Sequence, residues 1–230
     1  VFNEYKDIVV VANEGSNNVT FINSSSLKII GGVTVFGNEP LGIALGYGLV
    51  AVSSYGSRYI TIINISVFPN FTINGEYAIP VPGCPTGIAI YPLTNQLYVS
   101  LYNSHSILMY SLSSPSPPYI IGTLLTQVNP MGLAVAPNGW LYVAQEGSSY
   151  ISIFAPLNES SQQPSNPYLE YGSFPNYTVR VGNNPVNVIV VPTFSGTQEC
   201  SVVVSYLNSS NVSFIPVTLL GHNLETGPAI

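Results

Sequence analysis

The sequence predicts an all-β fold, a β-propeller of five four-stranded blades, on three observations. A proline opens the same kind of segment five times, as PLGIAL at 40, PTGIAI at 85, PMGLAV at 130, PVNVIV at 185 and a closing PAI at 228. The steps between these prolines are 45, 45, 55 and 43 residues, and a period in the forties built from short apolar runs marks propeller blades, whereas a sandwich gives no reason for such a recurrence. The stretch after each proline also repeats: LVAVSSYGSRYITII, LYVSLYNSHSILMYSL and LYVAQEGSSYISIF each read as an apolar run, a polar hairpin and a second apolar run.

Each repeat resolves into four strands, A to D. Strand A is the Pro-x-Gly-Ile-Ala-Ile run, whose Gly42, Gly87 and Gly132 with Ala44, Ala89 and Ala134 suit innermost strands that converge on a channel and admit close backbone approach. Strand B is the Leu-Tyr-Val run and strand C the Ile-x-Ile run, with the Val, Ile, Tyr and Phe density of strands and Gly, Asn and Ser between them for turns. Strand D is read as the shorter runs TVFG, YAIPV, GTLLT and YTVRV. DIVVVANEGSNNVTFI at 7 to 22 and CSVVVSYLNSSNVSFI at 200 to 215 match the B and C strands of the inner repeats.

The Pro-x-Gly-Ile-Ala-Ile, Leu-Tyr-Val-Ser/Ala and Ile-x-Ile runs together resemble the YVTN and NHL type of β-propeller repeat over nearly the whole chain. That resemblance implies the fold and leaves function wide, because the family includes lactonases, lyases, surface-layer proteins and interaction modules.

Residues 1–230 are read as one domain. Val1 and Phe2 align with the end of a strand A, and Pro228, Ala229 and Ile230 with its start. Either the two termini close a five-bladed ring by completing one strand, or the chain is a segment of a longer propeller; five blades in 230 residues favours the ring.

Hydrophobic residues make up 46% of the chain and charged residues only 6%, against about a quarter in a typical domain. No apolar run is long enough to cross a bilayer. The four basic residues, Lys6, Lys28, Arg58 and Arg180, are scattered singly and the net charge is -6, so neither nucleic acid nor an anionic membrane is an expected partner. Asn-x-Ser/Thr acceptors stand at Asn18, Asn23, Asn64, Asn70, Asn158, Asn176, Asn208 and Asn211, where roughly four are expected by chance in such a composition. All fall in B–C hairpins, late strand C or C–D excursions toward the rim, so several are expected to carry N-linked glycans and the protein is expected outside the cell. Low charge, a Tyr/Asn/Ser/Thr surface and dense acceptors resemble the composition of secreted surface proteins of thermophilic archaea.

Catalytic groups are few. The chain has one Asp, Asp7, and two histidines, His105 in a B–C hairpin and His222 in GHNLE, with no grouping at metal-ligand spacing. Glu14 and Glu146 occupy one repeat position after strand B, and Glu39 in a D–A loop would share their face. Three carboxylates on a rim are weak candidates for a calcium site, set against solvated hairpin acids followed by a turn glycine. Tyr55, Tyr102 and Tyr206 end strand B in three repeats, either as packing residues or as a sugar-binding platform. No cofactor is expected.

The excursion from Pro156 to Tyr177 accounts for the 55-residue repeat, and its Tyr168, Leu169, Tyr171 and Phe174 suggest an arm that orders against a neighbour. Cys84 lies in a D–A loop and Cys200 aligns with an A–B loop, on opposite faces of non-adjacent blades. An internal bridge is therefore not expected. The expectation is an intermolecular Cys84–Cys200 disulfide along a polymer, with two free thiols as the next case. The sequence thus reads as a non-enzymatic, glycosylated extracellular structural protein that assembles with copies of itself into a surface layer or filament. The alternatives are an adhesion or ligand-binding propeller and a lactonase- or lyase-like enzyme.

Overall fold

A computed structural model describes residues 7–46, 48–66, 70–113, 117–157, 168, 170–192 and 199–218. Among them the chain forms five antiparallel sheets in sequence order and no α-helix. The first sheet holds β1 (Ile8–Asn13), β2 (Asn18–Asn23) and β3 (Lys28–Thr34). The second holds β4 (Pro40–Gly46), β5 (Leu49–Ser54), β6 (Tyr59–Ser66) and β7 (Thr72–Pro80). The third holds β8 (Pro85–Tyr91), β9 (Gln96–Leu101), β10 (Ser106–Ser111) and β11 (Tyr119–Leu125). The fourth holds β12 (Pro130–Val135), β13 (Leu141–Gln145), β14 (Tyr150–Phe154) and β15 (Tyr177–Arg180). The fifth holds β16 (Pro185–Pro192), β17 (Glu199–Tyr206) and β18 (Val212–Thr218). These are the blades of a β-propeller. The segments expected to complete strand A of the first blade, residues 1–2 and 228–230, lie outside the described residues.

Each recurrent proline does the same structural work. Pro40, Pro85, Pro130 and Pro185 face the last residue of strand B, namely Ser54, Leu101, Gln145 and Tyr206, and a bulge follows immediately in strand A. A bulge frees backbone groups from the ladder, and proline brings no N–H that would need a partner there. The carbonyl of the residue before the proline is used instead, accepting from Tyr55 N to Glu39 O at 3.0 Å, Tyr102 N to Cys84 O at 2.9 Å, Glu146 N to Asn129 O at 3.0 Å and Leu207 N to Asn184 O at 2.9 Å.

Strand D begins earlier than the sequence suggests in the first three blades and at Tyr177, as read, in the fourth. In the first blade the strand is Lys28–Thr34, ahead of TVFG, with Gly31 and Gly32 inside it. Packing explains their place: a Cβ on Gly31 would stand 2.9 Å from the Phe71 ring of the second blade. A second recurrent bulge sits in the C–D pairing, between Phe21 and Ile22, Asn64 and Ile65, and Met109 and Tyr110, each time beside a strand-D glycine, Gly31, Gly75 or Gly122.

The blades pack face to face. Val19 and Phe21 meet Val50, Val52 and Ile63; Ile60 and Ile62 meet Leu97, Val99 and Leu101. Tyr98 and Ile107 meet Leu141, Val143 and Phe154, and Tyr142, Ile151 and Ile153 meet Val202 and Val204. Each such side chain removed from water stabilises the fold by about 1.5–3 kcal/mol before entropy is subtracted. Because β9 and β13 are buried along their whole length, between a blade on either side, they read as unbroken apolar runs instead of alternating ones.

Candidate functional site

The inner strands β4, β8, β12 and β16 surround a cavity of about 1100 Å³. Leu41, Ile43, Ile88, Ile90, Leu133, Val135 and Val188 are among its lining residues, and among the described residues its polar side chains are Thr86, Tyr91 and Asn187, with no Asp, Glu, Lys, Arg or His in the wall. Strand A supplies this lining because its small residues let neighbouring backbones close in. A Cβ on Gly87 would run into the Met131 carbonyl oxygen of the next blade, and one on Gly42 into the Thr86 carbonyl oxygen.

Beside the cavity lining a strand-B serine joins the second blade to the third, and another joins the third to the fourth. The Ser100 hydroxyl accepts from Gly87 N at 2.7 Å and donates to the Met131 carbonyl at 2.6 Å. Ser53 likewise accepts from Gly42 N at 2.9 Å and donates to the Thr86 carbonyl, while the Thr86 hydroxyl donates to the Pro130 carbonyl at 2.9 Å. The bulges that follow Pro40 and Pro85 expose those amides, and the hydroxyls satisfy them. The repeated Val-Ser at 52–53 and 99–100 was the available signal for this arrangement.

On the B–C face the expected carboxylates are not gathered. Among the described residues no group of three His, Cys, Asp or Glu side chains could hold a metal ion, which corrects the Glu14, Glu39 and Glu146 candidates. Glu14 opens the 3-10 turn Glu14–Ser16. Glu39 adopts φ 57° and its backbone N donates to Asn17 Oδ1 at 2.9 Å, while its carboxylate lies against Gly56 of the second blade. Glu146 instead accepts from Tyr102, and this bond, ahead of partial burial, raises the Tyr102 pKa. Tyr102 in turn meets Tyr55 edge-on at 6.1 Å. Tyr206 is not part of this row: it is buried and donates to Ser213 Oγ at 2.6 Å, and Leu207 takes the repeat position of Tyr55 and Tyr102. His105 is an exposed loop residue at φ 47°; His222 lies outside the described residues.

The excursion in the fourth blade turns inward. Tyr171 is buried between the third and fourth blades, donates to the Gly139 carbonyl at 2.5 Å and meets Tyr98 OH at 3.0 Å. Burial pushes both phenols well above the ordinary tyrosine range, and pushes Tyr110 up to about 12. Tyr168 accepts from Ser111 Oγ at 2.8 Å and meets Tyr119 OH at 2.9 Å. The described part of the arm therefore packs on its own chain through Tyr168 and Tyr171, with Phe174 left exposed; residues 158–167 and Leu169 lie outside the described residues.

Of the glycan acceptors, Asn70, Asn176, Asn208 and Asn211 are exposed. Asn18 and Asn23 begin and end β2 and Asn64 lies within β6, all three half-buried; Asn158 is outside the described residues. Cys84 is a half-buried free thiol whose Sγ accepts from Asn103 Nδ2 at 3.5 Å. Cys200 is the second residue of β17, paired with Pro192 and Val217, not a residue of the A–B loop. No helix among the described residues is long and apolar enough to cross a membrane.

No family model and no curated protein matches the sequence. Solved structures do match in shape. Hydrazine synthase from Kuenenia stuttgartiensis aligns at a TM-score of 0.63 and 17% identity, over 96% of this chain and 65% of that one. A Bacteroides uniformis protein provisionally assigned as a 6-phosphogluconolactonase aligns at 0.71 and 13%, over 98% and 69%. A Bacteroides caccae protein of unknown function aligns at 0.61 and 13%, over 97% and 72%. The chain thus spans just under two thirds of the hydrazine synthase chain. At these identities the likeness establishes the propeller fold alone.

Proposed function

We propose that the chain is a YVTN/NHL-type propeller that acts outside the cell as a glycosylated, non-enzymatic structural protein, assembling with copies of itself into a surface layer or filament. The observation that carries this reading is the central cavity, where a propeller enzyme would collect its acids, bases or metal ligands: the described residues of its wall offer none. Exposed Asn70, Asn176, Asn208 and Asn211 support glycosylation, and the low charge matches the composition of archaeal secreted surface proteins. A lactonase-like reading, prompted by the Bacteroides uniformis neighbour, finds no general acid–base pair among the described residues of the channel. Electron microscopy of native material tests the proposal. Regular polymers are the expected result, and isolated particles that turn over a lactone would overturn it.

A second reading, a ligand-binding propeller, is favoured by the row Tyr55, Tyr102 and Glu146 on the B–C face. An aromatic pair beside a carboxylate suits a sugar with one apolar face and ring hydroxyls. Loss of saccharide binding in Tyr102→Ala, with an unchanged unfolding midpoint, would support that alternative.

A further inference from the structure

Phe174 is 68% exposed, against 51% for Phe214 and 44% for Tyr119. It shares a surface depression of about 450 Å³ with Asn176, Thr178, Tyr177, Leu125 and Gln127. Asn176 and Thr178 are the two obligatory residues of an Asn-x-Thr acceptor, and both are exposed. The asparagine is held in place: its backbone N donates to the Ile153 carbonyl at 2.9 Å, and its Oδ1 accepts from Ala155 N at 2.8 Å. Of the two ends of a carboxamide only the oxygen accepts, so a bond from a backbone N–H fixes the orientation of the amide. The sheet engages Oδ1 and leaves Nδ2, the atom that carries a glycan, as the other end of the amide. The bond from Leu125 N to the Ser173 carbonyl at 2.8 Å anchors the segment bearing Phe174 to the third blade, so ring and acceptor belong to one ordered surface.

Asn70 repeats the same Phe-Pro-Asn-x-Thr sequence, as Phe68 to Thr72, and is exposed with Thr72, but Phe68 lies outside the described residues. Asn64 is half-buried and Asn158 lies outside the described residues. The remaining acceptors lack the combination. Asn18 and Thr20 both take bonds from Asn13 Nδ2, at 2.7 and 2.8 Å, and are half-buried. Asn23 Oδ1 caps Ser26 N at 2.7 Å, again half-buried. Asn208 and Asn211 are exposed, but the residue two before Asn208 is the buried Tyr206, and the residue two before Asn211 is Ser209, which has no aromatic ring.

We infer that an N-linked glycan on Asn176 folds back over Phe174, its first sugar ring seated in the depression with a C–H face on the aromatic ring. This rests on the extracellular, glycosylated reading above and adds a specific platform to it. The donor is a polyprenyl-phosphate-linked oligosaccharide: the Nδ2–C1 bond forms as the bond from C1 to the phosphate oxygen breaks, the lipid phosphate leaves with the electron pair, and Nδ2 loses one proton. The ring then exchanges exposure to water for contact with the sugar, and the glycan stabilises the outer edge of the fourth blade.

Two measurements test this. The first is peptide mapping of protein purified from its own cells. A glycan on the Asn176 peptide is the expected result; glycans at other acceptors with Asn176 bare would overturn this inference alone, and a chain with no glycan at all would overturn the glycosylated reading with it. The second compares wild type with Phe174→Ala, each secreted from a glycosylating host and trimmed to one sugar at Asn176, and each made unglycosylated as Asn176→Gln. The sugar should raise the unfolding midpoint of wild type by about 2–4 °C and that of Phe174→Ala by little or nothing. An equal rise in both backgrounds would overturn the platform.

Discussion

Ser100 donates its hydroxyl hydrogen to the carbonyl oxygen of Met131 at 2.6 Å, so a side chain in strand B of the third blade satisfies the strand-A bulge of the fourth. The Ser100 oxygen also accepts from Gly87 N at 2.7 Å, and one buried group therefore serves both blades. Replacing Ser100 by Ala strands both partners without a steric change, since Ala144 fills the equivalent position in the fourth blade. The expected loss is about 1–3 kcal/mol, read as a fall of the unfolding midpoint by several degrees. An unchanged midpoint would mean that water replaces the hydroxyl.

Gly87→Ala is expected to cost more than Gly15→Ala. A Cβ at Gly87 would collide with the Met131 carbonyl and stand 2.9 Å from Gly132 Cα, both rigid backbone, whereas nothing lies within 4 Å of one at Gly15. Overpacking of this kind costs about 1–3 kcal/mol and sometimes more. Denaturant titration of the two variants decides it; equal midpoints would show that neighbouring blades shift apart at little cost.

The small residues of strand A were readable in the sequence because the reason for them is local to each repeat and recurs with it. The serine clamp was not read, because its partner is a carbonyl about thirty residues away, and no residue type announces a carbonyl. The early start of strand D in the first blade is hidden for a related reason: what makes room for Gly31 inside a strand is Phe71 of the next blade, which fills the space of its missing side chain. Tyr171 was legible as an apolar residue in a polar insert, but whether it faced another molecule or its own third blade depends on a path the sequence does not encode locally. The candidate carboxylates failed differently. Repeat position put Glu14 and Glu146 on one face, but they stand in the first and fourth blades, and Tyr102 takes Glu146 as its acceptor.

His105 and Arg58 hold left-handed backbone at φ 47° and 55°, at the turn position where the first blade places Asn17 at φ 52°. Asparagine and glycine tolerate this region better than residues with larger side chains. His105→Asn and Arg58→Asn are each expected to stabilise the fold by about 0.5–1 kcal/mol, visible as higher midpoints. A lower midpoint would assign these side chains a stabilising contact that outweighs the strain.

Stability should respond to pH mainly on the alkaline side. Burial raises the folded-state pKa of Tyr98, Tyr171 and Tyr110, the last to about 12, above an unfolded value near 10. The folded chain therefore holds these protons more tightly. Its advantage is complete below about pH 10 and is lost as pH rises above that value. Ten carboxylates in 230 residues give little comparable leverage in acid. Thermal unfolding followed across pH checks both limbs: a collapse between about pH 5 and 3 would contradict the acid limb, and a flat profile above about pH 10 the alkaline one.

The cysteines test the assembly proposal most directly. Cys84 sits between β7 and β8 at the D–A end of the third blade, while Cys200 lies at the start of β17, the A–B end of the fifth. Moving Cys200 from the loop into the strand leaves it at that same end, so the two cysteines remain on opposite faces of non-adjacent blades. A disulfide needs Cα atoms within about 7 Å, which this topology denies within one chain. Stacking the D–A face of one propeller on the A–B face of the next would supply the approach. That contact is heterologous and propagates unless it closes. Native material on a non-reducing gel should therefore run as a ladder that collapses with reductant, and Cys84→Ser should abolish the ladder. A monomer band with both thiols titratable would remove the covalent link while leaving non-covalent assembly open to microscopy. A monomer carrying an internal Cys84–Cys200 bridge would instead overturn the blade register.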